Sequence, residues 1–492
     1  MTSPRLPKMG DISRRDLLLA APAAAAAFAL VACGKSESTA KSPDSAAPDS
    51  GAPGATAAAG PSETHEWRVY GRDYAQSRTN LTETSITRDS VSRLAVVWEI
   101  ADLVGVTGTP TVADGVVYFC DWKGQAWAVD HKTGAKIWTT QLGGMFVGAP
   151  AISDDAVYVA AGARLYRLDR TTGEREWDVA THDHPQAQIS ASPVVVDGIV
   201  LQGTASFENM IRKDEYLFRG SIGGFDAESG EQRWNFYSTA GDDTSGPGAG
   251  IWSTPAVDRE RGLLFVGTGQ GLAEPTPALA DSLVAIDYKT GEKRWATQFT
   301  YPDVFSNANP GGKDADVGAS PNLWASEGRE LVGAGDKGGT YHALDRETGE
   351  VVWETQLAPG SAFGGEIGSA AYVDDTIVAS SNVGDAATNA PTNVSHVFGL
   401  DPATGEKRWT SERFEGMIFA PVGAVPGVAF CGTDQGRLLA LDTVDGSTVW
   451  SMDAPAKTAC GPSIVDGRVV WGYGFMLFGG PGPGGVLALE VK

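Results

Sequence analysis

The chain is 492 residues long, and its 61 acidic against 38 basic side chains leave a formal net charge of −23. That balance excludes the basic footprint a nucleic-acid binder needs, while 42% hydrophobic residues with 14 tryptophans supply a large core rather than a disordered chain. The four cysteines, Cys33, Cys120, Cys431 and Cys460, form no Cys-Xaa-Xaa-Cys pair, so neither attached haem nor a zinc-finger spacing is expected.

Ser13-Arg14-Arg15-Asp16 precedes an apolar run, Leu17 to Ala32, that is short for a membrane span and broken by Pro22. The run ends Leu30-Val31-Ala32-Cys33. This stretch resembles a twin-arginine export signal joined to a bacterial lipobox, which implies that Cys33 is lipidated and becomes the first mature residue. An ordinary cleaved export signal is the alternative. Either implies an exported protein, and the first anchors it by lipid to the outer face of the cell membrane. Residues 34–62 are rich in Ala, Ser, Pro and Gly without a hydrophobic period, the composition of a flexible tether. The expected organisation is a signal peptide over 1–32, a lipidated linker over 33–62 and a folded domain over 63–492.

Within that domain one signature recurs: an Asp, a Gly four residues on, and a Trp four residues after that. The copies are Asp130-Gly134-Trp138, Asp169-Gly173-Trp177, Asp226-Gly230-Trp234, Asp287-Gly291-Trp295, Asp345-Gly349-Trp353, Asp401-Gly405-Trp409 and Asp442-Gly446-Trp450. Asp accepts backbone N–H bonds in a turn, Gly takes the positive φ of a tight hairpin, and Trp wedges between adjacent sheets. Successive Asp residues are 39, 57, 61, 58, 56 and 41 apart, the length of a four-stranded blade with variable loops. An eighth copy is split, with Gly485 to Glu490 at the end of the chain and Leu94 to Ile100 at the start of the domain. Pairing them closes a ring and removes its exposed edges. The sequence therefore predicts an all-β, eight-bladed β-propeller whose last blade joins both ends of the domain; seven blades is the alternative if the ends do not pair. The recurring Asp residues are structural, so function belongs to positions where the copies differ.

The Asp-Xaa-Xaa-Thr-Gly-Xaa-Xaa-Xaa-Trp repeats resemble those of the quinoproteins that bind pyrroloquinoline quinone (PQQ), and also those of an outer-membrane assembly scaffold lipoprotein. Trp67 to Arg78, with Tyr70, Gly71 and Asp73, resembles the opening of PQQ-dependent alcohol dehydrogenases; its structural role alone is an aromatic strap over the propeller. Gly248-Ala-Gly250-Ile-Trp252, followed by Gly267-Thr268-Gly269-Gln270, resembles their cofactor segment and implies that Trp252 stacks on the quinone with Gly250 beside it. Gln270 stands where these enzymes carry a metal-binding Asn, one methylene longer than a Ca²⁺ ligand there needs. The Glu215 to Arg219-Gly220 spacing implies Glu215 as a carboxylate ligand and Arg219 in the cofactor site, with Glu208 as the alternative ligand. Asp314-Ala-Asp316-Val-Gly-Ala-Ser-Pro resembles the element of polyvinyl-alcohol dehydrogenase-like proteins that supplies the catalytic base. The two carboxylates point to one side of an extended segment, where they share a cation or raise one another's pKa. Lys337, in a Gly-rich hairpin, is the implied partner of a quinone carboxylate or carbonyl, and Glu366 is a weaker candidate. Each of these residues also has a plainer place, in the core or on a solvated loop.

The resemblance implies an alcohol oxidised by hydride transfer to PQQ, with Ca²⁺ held by Glu215 or Glu208, Gln270 and Asp316, and with Asp316 or Asp314 taking the alcohol proton. The implied substrate is a small or polymeric alcohol, and the electrons leave to a separate acceptor. The competing expectation is a non-catalytic propeller lipoprotein that binds another envelope protein. Cys431 and Cys460, in adjacent blades, are candidates for a disulfide outside the cytoplasm, which leaves Cys120 alone.

Overall fold

The computed structural model describes residues 66–145, 148–211, 214–241, 244–385, 387–388, 390–475 and 483–492. Cys33 and the leader lie outside these residues. Among them the strands form eight antiparallel sheets, each with a four-strand path and strands mostly in chain order. The first strands of the blades adjoin one another around a common axis, and Thr111–Ala113 meets Ser463–Val465 where the ring closes. The closing sheet has the order Leu94–Leu103, Gly484–Val491, Arg468–Tyr473, Ser463–Val465, so the outermost strand comes from the start of the domain. Its register pairs Leu94 with Val491 and Ile100 with Val486. Eight blades, with the split one completed by both ends, is the architecture the repeats predict.

The signature residues act between blades. Asp130 Oδ1 accepts the N–H groups of Lys132 and Thr133, and the Thr133 hydroxyl, closing the last turn of its blade. Gly134 has φ +69°, and a Cβ there would meet the Trp98 ring of the preceding blade. The same fit recurs at Gly173 over Trp138, Gly349 over Trp295 and Gly446 over Trp409. Most of these indoles also donate Nε1–H to a carbonyl of the following blade, as Trp138 does to Arg170 at 3.0 Å. One residue thus buries a large apolar surface and satisfies its polar edge across the seam.

The opening segment forms a circumferential strap rather than a local cap. Trp67 exchanges hydrogen bonds with Val112, Arg68 O accepts from Ile152 N, and Tyr74 O accepts from Val257 N. Ala75, Ser77 and Arg78 carbonyls then accept from Leu323, Tyr372 and Ala424. The Tyr74 hydroxyl reaches Val195 O at 2.9 Å and Asn80 Nδ2 reaches Ile464 O at 2.9 Å. Residues 67–80 therefore visit the first strand of every blade in ring order. The strap bonds Pro255 and Val257 at the first strand Ala256–Asp258 of the fourth blade, whereas Trp252 lies ahead of that strand.

Cys431 and Cys460 are both free and buried. Cys431 packs with Leu439 and Val422, whereas Cys460 packs with Trp471 and Ile464 in a different cluster. The expected disulfide is not formed, because the two blades turn these side chains into separate cores.

Candidate active site

At the end of the ring away from the strap, loops from blades three to six are stitched by backbone bonds. Gly248 N donates to Phe218 O at 2.7 Å, Ala249 N to Gln270 O at 2.8 Å, and Gly269 N to Gly250 O at 2.8 Å. Gly271 N donates to Asp303 O, Val317 N to Thr268 O, Lys337 N to Ala315 O, and Glu366 N to Asp336 O. Gly248 adopts φ +114°, a conformation closed to most side chains, which lets this backbone come close.

Trp252 is half-buried in this setting. A Cβ on Gly318 would overlap its six-membered ring, so Gly318 is the floor on which the indole lies. Lys337 Nζ stands 5.6 Å from the ring centroid. The same ammonium lies 2.9 Å from Asp314 Oδ1 and 2.6 Å from Asp316 Oδ2. Burial works against the Lys337 charge, but Asp314 and Asp316 more than offset it and hold its pKa above the ordinary lysine value. Asp316 Oδ1 also accepts the Gln270 backbone N–H. A Cβ on Gly269 would lie 3.2 Å from Trp252 Nε1 and 3.3 Å from Asp316 Oδ1, so indole edge and carboxylate border the same small gap. The structure brings together Trp252, Gly250, Gln270, Asp314, Asp316 and Lys337.

Of the expected metal ligands it joins Gln270 to Asp316 but gives the two glutamates other surroundings. Glu215 is exposed. Glu208 is 2% exposed, but its carboxylate accepts the N–H groups of Leu217 and Phe218 and lies 3.3 Å from His184 Nε2. In the amide orientation that suits both neighbours, Gln270 donates to Asp316 at 2.7 and 3.0 Å and accepts from Asn209 at 3.1 Å. The cation between the two aspartates is the lysine itself. Among the described residues no three His, Cys, Asp or Glu side chains are arranged to hold a metal. The predicted set therefore does not fit Ca²⁺, because Glu215 is exposed, Glu208 is turned onto backbone and imidazole donors, and Asp316 onto the ammonium. Arg219 is turned away as well: its guanidinium stacks on Tyr237 at 4.1 Å and donates to Thr239.

Four ionisable groups that carried no expected role surround this cluster. Asp281 and Asp303 are fully buried. Burial, reinforced by negative Asp336, pushes the Asp281 carboxyl up to about 8; burial with Asp316 and Asp281 pushes Asp303 up to about 9. Asp336 Oδ2 pairs with His342 Nε2 at 2.9 Å. Glu366, weak in the sequence, is fully buried with no partner on either oxygen, and burial followed by Asp336 pushes it far above the carboxylate range. The one local signal for Asp281 was a carboxylate set directly before the apolar strand Ser282–Asp287.

Comparison with known proteins gives this arrangement its context. The family described as the glucose/ethanol/alcohol dehydrogenase β-propeller domain, PQQ, matches residues 67–147 and 178–371, more than half of the chain. The chain belongs to this family. Residues 393–474 match the outer membrane protein assembly factor BamB. A polyvinylalcohol dehydrogenase of Pseudomonas sp. is 28% identical over 467 residues, covering 85% of this chain and 72% of that protein. A second, from Sphingopyxis sp. strain 113P3, is 29% identical over 445 residues, covering 79% and 68%. The solved quinohemoprotein alcohol dehydrogenase of Pseudomonas putida HK5 superposes with a TM-score of 0.74 at 21% identity, over 87% of this chain and 80% of that one, a likeness of fold. In this chain Trp252, Asp314, Asp316 and Lys337 lie together among the loops.

Proposed function

We propose that this chain is a PQQ-dependent dehydrogenase that oxidises a small or polymeric alcohol and passes the electrons to a separate acceptor. The observation that carries this reading is Lys337, held over Trp252 while it bridges Asp314 and Asp316. The residues present fit the cofactor: Trp252 offers an aromatic face on a glycine floor, and Lys337 offers a charged donor beside it for a quinone carboxylate or carbonyl. Bound there, the quinone supplies the hydride acceptor. Asp316 takes the alcohol proton, since its Oδ1 borders the same gap as the indole edge. Lys337 orients Asp316 for that task through their 2.6 Å ion pair. No step is assigned to Ca²⁺, because the donors expected for it are engaged elsewhere. The polyvinylalcohol dehydrogenases among the relatives make secondary alcohols the first substrates to try.

Calorimetric titration of the purified chain with PQQ tests the reading. Saturable binding, weakened at least about fivefold in Trp252→Ala, is expected, since base–aromatic and ring stacking contribute roughly 1–3 kcal/mol. Absence of binding with or without added Ca²⁺ would leave an envelope-binding propeller, the reading that the match to BamB over residues 393–474 favours. For the leader, Arg14-Arg15 and Leu30-Val-Ala-Cys33 support export and lipid anchoring at the outer face of the cell membrane. Palmitate label incorporated by the wild type and absent from Cys33→Ala is the expected outcome in a bacterial host.

A further inference from the structure

We propose that Asp336, His342 and Glu354 form a protonation switch that positions Lys337 and, through it, the quinone site. This rests on the dehydrogenase reading and adds to it a control built into one blade.

The repeat supplies its own comparison. Three hairpins between the second and third strands of a blade share one backbone pattern. Asp121 N bonds Gln125 O, Asp336 N bonds Thr340 O, and Thr433 N bonds Arg437 O, at 2.9 to 3.0 Å. Each has a glycine at the fourth position, with φ of 85°, 85° and 88°. In the first blade the pin under the turn is inert: the Trp127 indole donates to Asp121 Oδ2 at 3.3 Å. In the seventh blade that position is Leu439, in the apolar core. Only in the fifth blade, whose hairpin carries Lys337, is it a histidine. His342 is 4% exposed, lies flat on Phe299 at 3.7 Å, and spans Asp336 Oδ2 at 2.9 Å and Glu354 Oε1 at 2.8 Å. Two ring nitrogens facing two carboxylates suit the doubly protonated imidazolium, which donates to both.

Asp336 in turn fixes the hairpin. Its Oδ1 accepts Thr340 N at 2.9 Å, and the next residue, Lys337, bonds Ala315 and Asp316 through its backbone before its ammonium reaches the aspartates. When His342 loses a proton, Nδ1 becomes an acceptor facing the Glu354 carboxylate, the bridge opens, and the charge that balances Asp336 is gone. Lys337 then faces an additional unbalanced carboxylate. The groups that face His342 are Asp336 from the hairpin, Glu354 from the neighbouring strand and Asp281 from the fourth blade, with Glu366 behind Asp336. Burial lowers the imidazolium pKa, but Asp336 and Glu354 more than offset that and hold it at about 9. Because this value lies above that of an unfolded histidine, the stabilisation is fully present below about pH 6.5 and is lost as pH rises through about 9.

The test reads His342 directly. In the cofactor-free chain, ring-nitrogen NMR, assigned by its absence in His342→Gln, is expected to show titration near pH 9, moving lower in Glu354→Gln. Glu354 is half-exposed, so that variant folds even if the first does not. PQQ binding by calorimetry is expected to weaken about tenfold as pH rises through that same value, to shift with Glu354→Gln, and to lose the step in His342→Gln. Following the His342 signal separates it from Asp281 and Asp303, which titrate in the same range. An ordinary His342 pKa, or a binding step that stays in place in both variants, overturns the switch. PQQ that binds at no pH defeats the dehydrogenase reading instead.

Discussion

Asp316→Asn is expected to lower dye-linked alcohol oxidation about 10³-fold, within the range of roughly 10² to 10⁴ that a positioned general base contributes. The amide keeps the shape, so Trp252 stays on its Gly318 floor and PQQ affinity is expected to change by less than about threefold, well below a stacking contribution. Asp314→Asn is expected to cost only about tenfold, because its carboxylate helps to hold Lys337 but nothing places it beside the indole edge. Steady-state rates beside calorimetry decide the matter. Equal losses in the two variants would assign the base to the pair rather than to Asp316, and a loss confined to PQQ binding would remove the base from this cluster altogether. The neighbouring acids set the sign of the pH response. Asp281 and Asp303 bind protons more tightly in the folded chain than in the unfolded one, so their effect on stability is absent below about pH 4. It then destabilises the fold increasingly as pH rises toward about 8 and 9, where it levels off.

The fold was legible because each repeat states its own geometry. The Asp closes the turn, the Gly takes the positive φ, and the Trp lies under the next blade's Gly, all within nine residues. The split last blade was legible for the same reason, since its two halves are incomplete copies. Trp252, Lys337 and the Asp314/Asp316 element were also local, each carried by a short motif. What the motifs could not give was direction. Glu215 had the better spacing, yet Glu208 is the carboxylate turned inward, where it accepts the amides of Leu217 and Phe218. Asp281 and His342 escaped notice, and Asp303 carried no role beyond closing the Tyr301-Pro-Asp303 stretch ahead of Asp314, because they meet the site only when loops from separate blades are brought to one end of the axis. His342 follows from comparing copies of a hairpin position for position. That comparison needs the register, which the structure supplies.

The strap makes a second strong demand on one side chain, and Arg78→Ala is expected to destabilise the chain by about 3–5 kcal/mol. Arg78 is fully buried. Its Nε donates to Val422 O at 2.5 Å and its Nη1 to Tyr70 O at 2.6 Å, while Nη2 reaches Thr109 Oγ1 at 3.3 Å. The guanidinium lies 4.6 Å from the Tyr70 ring and 5.7 Å from that of Trp67. Burial lowers its pKa from the usual arginine value, a sign that the charge is kept by carbonyl dipoles and aromatic faces at some cost. Truncation leaves a cavity and two carbonyls without these donors at the centre of the ring, where strap residues bond the first strand of every blade. The loss is therefore expected to appear in two readouts, a lower denaturant midpoint and faster hydrogen exchange at the amides of Ile152, Val257, Leu323, Tyr372 and Ala424, which donate to strap carbonyls. Arg88 serves as the control: half-exposed and paired with Asp442, its replacement by Ala is expected to leave the denaturant midpoint nearly unchanged. A comparably small loss at Arg78, with exchange unchanged at those five amides, would mean that the strap merely rests on a ring already held shut by the pairing of Leu94–Leu103 with Gly484–Val491. The larger loss would mean that the ring is closed twice, once at its rim and once at its axis.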